Sequence, residues 1–202
     1  MLEQIKLGVS DNLDYHVHAK SMRPAAVLCL IIGRDVAPSI LLTKRARHLS
    51  EHAGQMSFPG GKIDSQDKSV IDAALREARE EIGLVSSQVD ILGYLTPVAT
   101  ATGFHISPVV GYLAKSPAQA IKQLVHNPLE VEAIKLSPLS LYLDPNCYRR
   151  AEYKTKTGSR TFWEIKNTNP LVWGATAAIL RQFCDIVETK SLPSHTKSIE
   201  KD

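Results

Sequence analysis

The segment from Ser69 to Ile82, introduced by the turn Phe58-Pro59-Gly60-Gly61 and stopped by Gly83, constrains this fold more than any other stretch. At 3.6 residues per turn, Ile71, Ala74, Leu75, Ala78 and Ile82 share an arc of roughly 100°, the stripe of a helix that packs on a sheet. Glu77, Glu80 and Glu81, at i, i+3 and i+4, share a second arc of roughly 100°, well separated from the first. One face can therefore pack on a core while the other points acids into a cleft. Three neighbouring carboxylates repel one another unless a cation sits between them, and hard divalent ions such as Mg²⁺ or Mn²⁺ suit oxygen donors. Taken alone, such a run reads more readily as a solvated, ion-paired helix face; the flanking glycine motifs weigh against that alternative.

Strand patterns surround this helix. Ala25 to Ile32 is a β-rich apolar run ending at Gly33, followed by a turn at Val36-Ala37-Pro38 and a partner strand from Ser39 to Lys44. Val89 to Pro97, His105 to Leu113 and Val131 to Leu136 also read as strands. Tyr148 to Ile165 reads as a hairpin turning at Lys156-Thr157-Gly158-Ser159. Leu171 to Val187 has the periodicity of a long amphipathic helix. Residues 1–24 form an N-terminal helix or arm, and 189–202 a polar tail expected to be frayed. Whether the arm docks on its own domain or on a second subunit of a homodimer stays open.

Composition narrows the function classes. Hydrophobic residues at 44% and charged residues at 22% fit one globular domain with a substantial core. A net charge of +3 over 202 residues is too small to mark a nucleic-acid surface, while allowing a locally basic pocket. Cys29, Cys147 and Cys184 show no C-x-x-C spacing, so they read as reduced thiols of a cytoplasmic protein, Cys29 and Cys184 buried. The N-terminus lacks the basic head and apolar stretch of a signal peptide, and the run Ala25 to Ile32 is too short to span a bilayer, so no membrane partner is expected.

Arg76-Glu77-Ala78-Arg79-Glu80-Glu81-Ile82-Gly83-Leu84 resembles, without gaps, the second half of the Nudix box, the signature of hydrolases that split a diphosphate linked to another moiety (G-x5-E-x7-R-E-U-x-E-E-x-G-U, U aliphatic). The first half departs: counting from Gly61, Asp67 takes the glutamate position, and one extra residue separates it from Arg76. Leu41-Leu42-Thr43-Lys44-Arg45-Ala46 and Gly54 to Gly61 look like the additional motif of the coenzyme A pyrophosphatase branch. Trp173-Gly174-Ala175-Thr176-Ala177 resembles that branch's C-terminal helix. The likeness covers residues 25–188. Within the upstream motif, Ser50 stands where an arginine is usual and Glu51 where a basic residue is common.

The resemblance implies an α/β fold, the Nudix α/β/α sandwich with a mixed sheet, and a metal-dependent diphosphatase acting on a small-molecule nucleoside diphosphate derivative. Coenzyme A or an acyl-coenzyme A leads as substrate. ADP-ribose or another nucleotide diphosphate is the alternative within the enzyme class, and a non-catalytic nucleotide-sensing module the alternative outside it. It further implies Mg²⁺ or Mn²⁺ held by Glu77, Glu80, Glu81 and the backbone at Gly61. Glu77, Glu80, Arg76 and Glu130 would serve catalysis, and Arg45, Arg47, Gly60 and Phe104 would contact substrate. Asp67 reads as structural rather than ligating, and Phe162, Trp163 and Trp173 as core aromatics.

Overall fold

Ala25 to Ile32 is unbroken apolar sequence because both of its faces are covered. In the computed structural model, which describes residues 1–11, 21–33, 37–155 and 158–191, this run lies in β1 (Arg23–Ile32) within a mixed sheet. Cys29 and Ile31 enter one buried cluster, while Ala26, Leu28, Leu30 and Ile32 enter the other. That alternation is the two-residue period of a strand with no wet face.

β1 pairs antiparallel with β2 (Ser39–Arg45) and parallel, from Arg23 to Ile32, with β7 (Phe104–Leu113). The sheet runs β3 (Met56–Ser57), β2, β1, β7, β5 (Asp90–Tyr94). Further strands are β4 (Gly60–Lys62) on β1, β6 (Val98–Ala99) on β7 and β8 (Val131–Pro138) on β2. Helix α2 (Val70–Ile82) covers one face through Ala73, Ala74, Ala78 and Ile82. Helices α1 (Leu2–Gly8) and α4 (Gly174–Ser191) cover the other through Ile5, Ala177, Leu180 and Phe183. The result is the expected α/β/α sandwich. A second, antiparallel sheet of β9 (Tyr148–Thr155), β10 (Gly158–Ile165) and β11 (Val172–Trp173) packs on α4.

Local chemistry accounts for the limits of α2. The Ser69 hydroxyl accepts from the Asp72 N–H at 3.1 Å, a cap worth about 1 kcal/mol. Gly83 ends the helix at φ 66°, ψ 23°, with its N–H on the Arg79 carbonyl and the Leu84 N–H on the Ala78 carbonyl.

Several boundaries differ from the sequence reading. The last helix starts at Gly174, not Leu171, because Val172 and Trp173 pair with Ile165 and Glu164 before the chain turns helical. Helix α3 (Pro117–Gln123), capped by Ser116 and Gln119, was not expected: it is short and buries only Ala120. Residues 1–11 of the arm pack on the rest of the chain, and residues 12–20 lie outside the described residues. Ile5 is fully buried, Ser10 bridges Tyr94, and a side chain at Gly8 would meet Ile186. Cys29 and Cys184 are buried. Val36 of the first turn, Lys156 and Thr157 of the second, and residues 192–202 of the tail lie outside the described residues. Among the described residues, no helix is long and apolar enough to cross a membrane.

Candidate functional site

The glycine turn and α2 meet at two carboxylates. The Gly60 N–H lies 3.3 Å from Glu81 Oε2, and Glu81 is only 3% exposed. Gly60 has φ 153°, and a β-carbon there would lie 2.3 Å from the Ala26 carbonyl oxygen. At Gly61 the same atom would lie 2.6 Å from both carboxylate oxygens of Glu77. The two glycines thus serve different ends: the first lets the backbone pass β1, the second leaves room for an acid. Gly60→Ala is expected to destabilise the protein by about 1–3 kcal/mol, since rigid backbone must yield. Gly61→Ala should change stability by less than about 1 kcal/mol, because a side-chain end can move aside, yet depress metal-dependent turnover by displacing Glu77. Thermal melts and turnover of the pair check this; equal stability losses would refute it.

Arg76 organises the acidic helix face. It donates from Nε and Nη2 to the two oxygens of Asp67, both at 2.9 Å, from Nη1 to Glu77 at 3.0 Å and Glu80 at 3.1 Å, and from Nη2 to the Lys62 carbonyl at 3.1 Å. The fork to Asp67 is the bidentate geometry that makes guanidinium–carboxylate pairs strong and directional. Asp67 is nine residues from Arg76 and also accepts the Asp64 N–H at 2.8 Å. A turn closed from Asp67 N–H to the Asp64 carbonyl takes up the extra residue, so an aspartate reaches the guanidinium. Hydrogen bonding from Arg76 holds the Asp67 carboxyl below the usual carboxylate range. Asp67 therefore has the structural role expected of it, as a clamp on Arg76.

Glu77 and Glu81 resist ionisation. Burial is the main cause for both and pushes Glu81 up to about 8. The charges of Glu77 and Glu130 add to the rise at Glu81, against Arg45 and the Gly60 N–H, which favour the carboxylate. Arg45 Nη1 stands 3.8 Å from Glu81, and Arg45 Nε is buried with no hydrogen-bond partner. Oxygen donors, half-buried to buried, repelling one another beside a backbone kept free of side chains, suit a hard divalent cation. Glu77 and Glu81 would hold it, with Glu130 near enough to raise both their pKa values. Among the described residues no three His, Cys, Asp or Glu side chains are already gathered around one point as a ligand set. Arg76 engages both Glu77 and Glu80, and Glu80 is turned toward solvent at 46% exposure.

Glu77, Glu81 and Glu130 line a cleft of about 1610 Å³ between the main sheet and the β9–β10–β11 sheet. Thr176 of α4 ties the two sides together by donating to the Met56 carbonyl at 3.1 Å. Of the residues singled out from sequence, Arg45, Gly60, Gly61, Glu77, Glu81, Phe104 and Glu130 line this cleft. Phe104 carries the Arg23 guanidinium over its ring at 3.9 Å. Arg76, Glu80 and Arg47 do not line it: Arg76 and Glu80 pair with each other on the helix beside it, and Arg47 is 77% exposed and pairs with Glu132, which also takes Lys44. The far wall was not foreseen. Phe162, Trp163 and Trp173, all expected in the core, line the cleft together with Arg150, Tyr153 and Arg160, and Trp173 is 37% exposed. Alternation along the hairpin strands was the available signal.

The family model described as NUDIX domain matches residues 22–155. Nudix hydrolase NudL of Salmonella paratyphi B is 40% identical over 163 residues, covering 80% of this chain and 81% of that protein. The same figures hold for NudL of Salmonella newport. Among solved structures, the Nudix hydrolase RenU of M. smegmatis superposes with a TM-score of 0.56 at 20% identity, over 85% of this chain and 89% of its own. An Ap4A hydrolase of C. elegans superposes with a TM-score of 0.52 at 16% identity, over 83% and 98%.

Proposed function

This chain belongs to the Nudix hydrolase family, and on that footing we propose that it cleaves coenzyme A or an acyl-coenzyme A at the diphosphate. The products would be a 3′,5′-bisphosphate nucleotide and a phosphopantetheine. The reaction class, hydrolysis of nucleoside diphosphate derivatives, comes with the family. One observation supports the acid pair as its centre: Glu77 and Glu81, both raised by burial, sit against the Gly60-Gly61 turn in the cleft. The substrate reading rests on the motifs from Leu41 to Gly61 and on the size of that cleft. Compact ligands fill roughly 300–1000 Å³, and a cleft of about 1610 Å³ accommodates a long one.

A divalent ion bound here, Mg²⁺ or Mn²⁺, would neutralise diphosphate charge and acidify an attacking water. Glu77 and Glu81 would hold it, and Glu80, which shares Arg76 with Glu77, is a further candidate ligand. Arg76 keeps the Glu77 carboxylate in place through Oε1. Arg45, which lines the cleft beside Glu81, is the candidate cation for phosphate oxygens. Glu130 is the candidate acceptor of the water proton. Its backbone carbonyl accepts from Ala46 at 2.9 Å and its N–H reaches Asn127, which fixes the loop beside Arg45. Phosphoryl transfer asks mainly for such positioning and charge compensation.

Product analysis by mass-resolved chromatography tests the substrate, with coenzyme A, ADP-ribose, a dinucleoside polyphosphate and a nucleoside triphosphate offered in parallel with Mg²⁺ or Mn²⁺. Release of the 3′,5′-bisphosphate nucleotide from coenzyme A is expected, with Glu51 tolerated in the cleft lining. Turnover of ADP-ribose or another nucleotide alone would overturn coenzyme A while leaving the diphosphatase intact.

A further inference from the structure

The β9–β10–β11 sheet has two faces with different tasks. One buries Tyr148, Ile165 and Val172 in the core shared with α4. Strand alternation and register place Tyr153, Arg160, Phe162 and Trp173 on the other, and all four line the cleft. The Phe162 and Trp173 rings lie 5.3 Å apart at 59°, Tyr153 is 64% exposed, and Arg160 stands directly across from Tyr153. Trp163 belongs to the opposite face and also borders the cleft, but the Arg150 guanidinium already covers its ring at 4.1 Å. Exposed aromatics beside a guanidinium, in the same cleft as the acidic pair, are unusual as a mere packing surface.

Building on the diphosphatase reading above, we propose that this wall is a second subsite that binds the substrate's distal nucleoside. Its base stacks at Trp173 and Phe162, and Arg160 pairs with a phosphate carried on the ribose. A flexible apolar arm would use the aromatic rings but leave the guanidinium without a task. A bare diphosphate would use the guanidinium but not the rings. A phosphorylated nucleoside uses both, because every base has a π-face and a phosphate monoester matches the guanidinium fork. The charge around the glycine turn points the same way. Ser50 and Glu51 supply no cation there, and Glu51 lines the cleft as an acid; Arg160 on β10 is the exposed cation that stands beside the stacking rings.

Calorimetric titration of metal-free protein with adenosine 3′,5′-bisphosphate and adenosine 5′-monophosphate tests this directly. The wild-type protein should bind the bisphosphate more tightly. Trp173→Ala should weaken both ligands by about tenfold, the size of one lost base–aromatic stack. Arg160→Gln, at an exposed position where folding is not at stake, should weaken the bisphosphate about tenfold and bring it to the level of the monophosphate. Wild-type affinity for the bisphosphate in Arg160→Gln would overturn the phosphate contact, whatever happens to the folding of Trp173→Ala. Coenzyme A turnover by the wild-type protein, measured alongside, separates the two readings. Hydrolysis with unaffected binding in both variants sinks the subsite alone; weakened binding in the variants of a protein that hydrolyses none of the nucleotides sinks the reaction and keeps the subsite.

Discussion

Glu81→Gln is expected to cut metal-dependent turnover by at least about a hundredfold while making the metal-free protein more stable above pH 8. The first effect follows from removing a charged donor, since even groups that only orient metal ligands are worth about 10–100-fold. The second follows from burial. Glu81 is raised from an ordinary 4.5 to about 8, so the folded protein keeps a proton that the unfolded chain has released. Stability from this group is therefore complete below about pH 4.5 and is lost as pH rises through about 8, on the order of a few kcal/mol in all. Glutamine has the same shape and no charge to desolvate, so the variant should lack that decline. Melting temperatures between pH 5 and pH 9, with and without Mg²⁺, check both halves. Mg²⁺ should restore stability to the wild-type protein at high pH and do little for the variant. Undiminished turnover of the variant at saturating Mg²⁺ would remove Glu81 from the proposed ligands.

The second large effect belongs to Arg76. Arg76→Ala should destabilise the protein by on the order of 3 kcal/mol, because the Asp67 carboxylate, with a side chain 4% exposed, would lose both arms of its fork and keep only the Asp64 N–H. Glu77 and Glu80 lose their shared cation in the same step, so turnover should fall as well. The double variant with Asp67→Asn separates these. A neutral amide removes the stranded charge, so stability should largely return while turnover stays low. Denaturant titrations of the four proteins in this cycle give the coupling directly. Additive losses would mean that the fork contributes nothing as a pair.

Helix α2 was legible because everything that defines it is local: Ser69 caps it, Gly83 ends it and its apolar stripe has the helical period. The central strand was legible because burial on both faces demands continuous apolar residues. The fate of the basic cluster was not. Lys44, Arg45 and Arg47 look alike in sequence, but a register irregularity between Lys44 and Arg45 separates them. Arg45 lines the cleft, while Lys44 and Arg47 share Glu132. A bulge re-aims side chains in a way that composition does not reveal. Glu130 was singled out by resemblance; its closeness to Glu77 and Glu81 depends on the Ala46–Glu130 bond, a contact across the fold. Trp173 defeated the expectation of a core aromatic because its exposure is set by β10, to which it pairs, and not by the helix that follows.

The parallel pairing of β1 with β7 has a consequence for how the chain comes to be folded. These two strands lie roughly 80 residues apart in sequence, and α2 with its carboxylates lies in the stretch between them. No hairpin can join parallel neighbours, so a nascent chain emerging from the ribosome holds β1 without its β7 neighbour until Leu113 is free. Until then, an apolar strand with an open edge must be kept from other chains. Fragments ending before Phe104 should accordingly aggregate rather than fold, and refolding from denaturant should be slow and favoured by dilution.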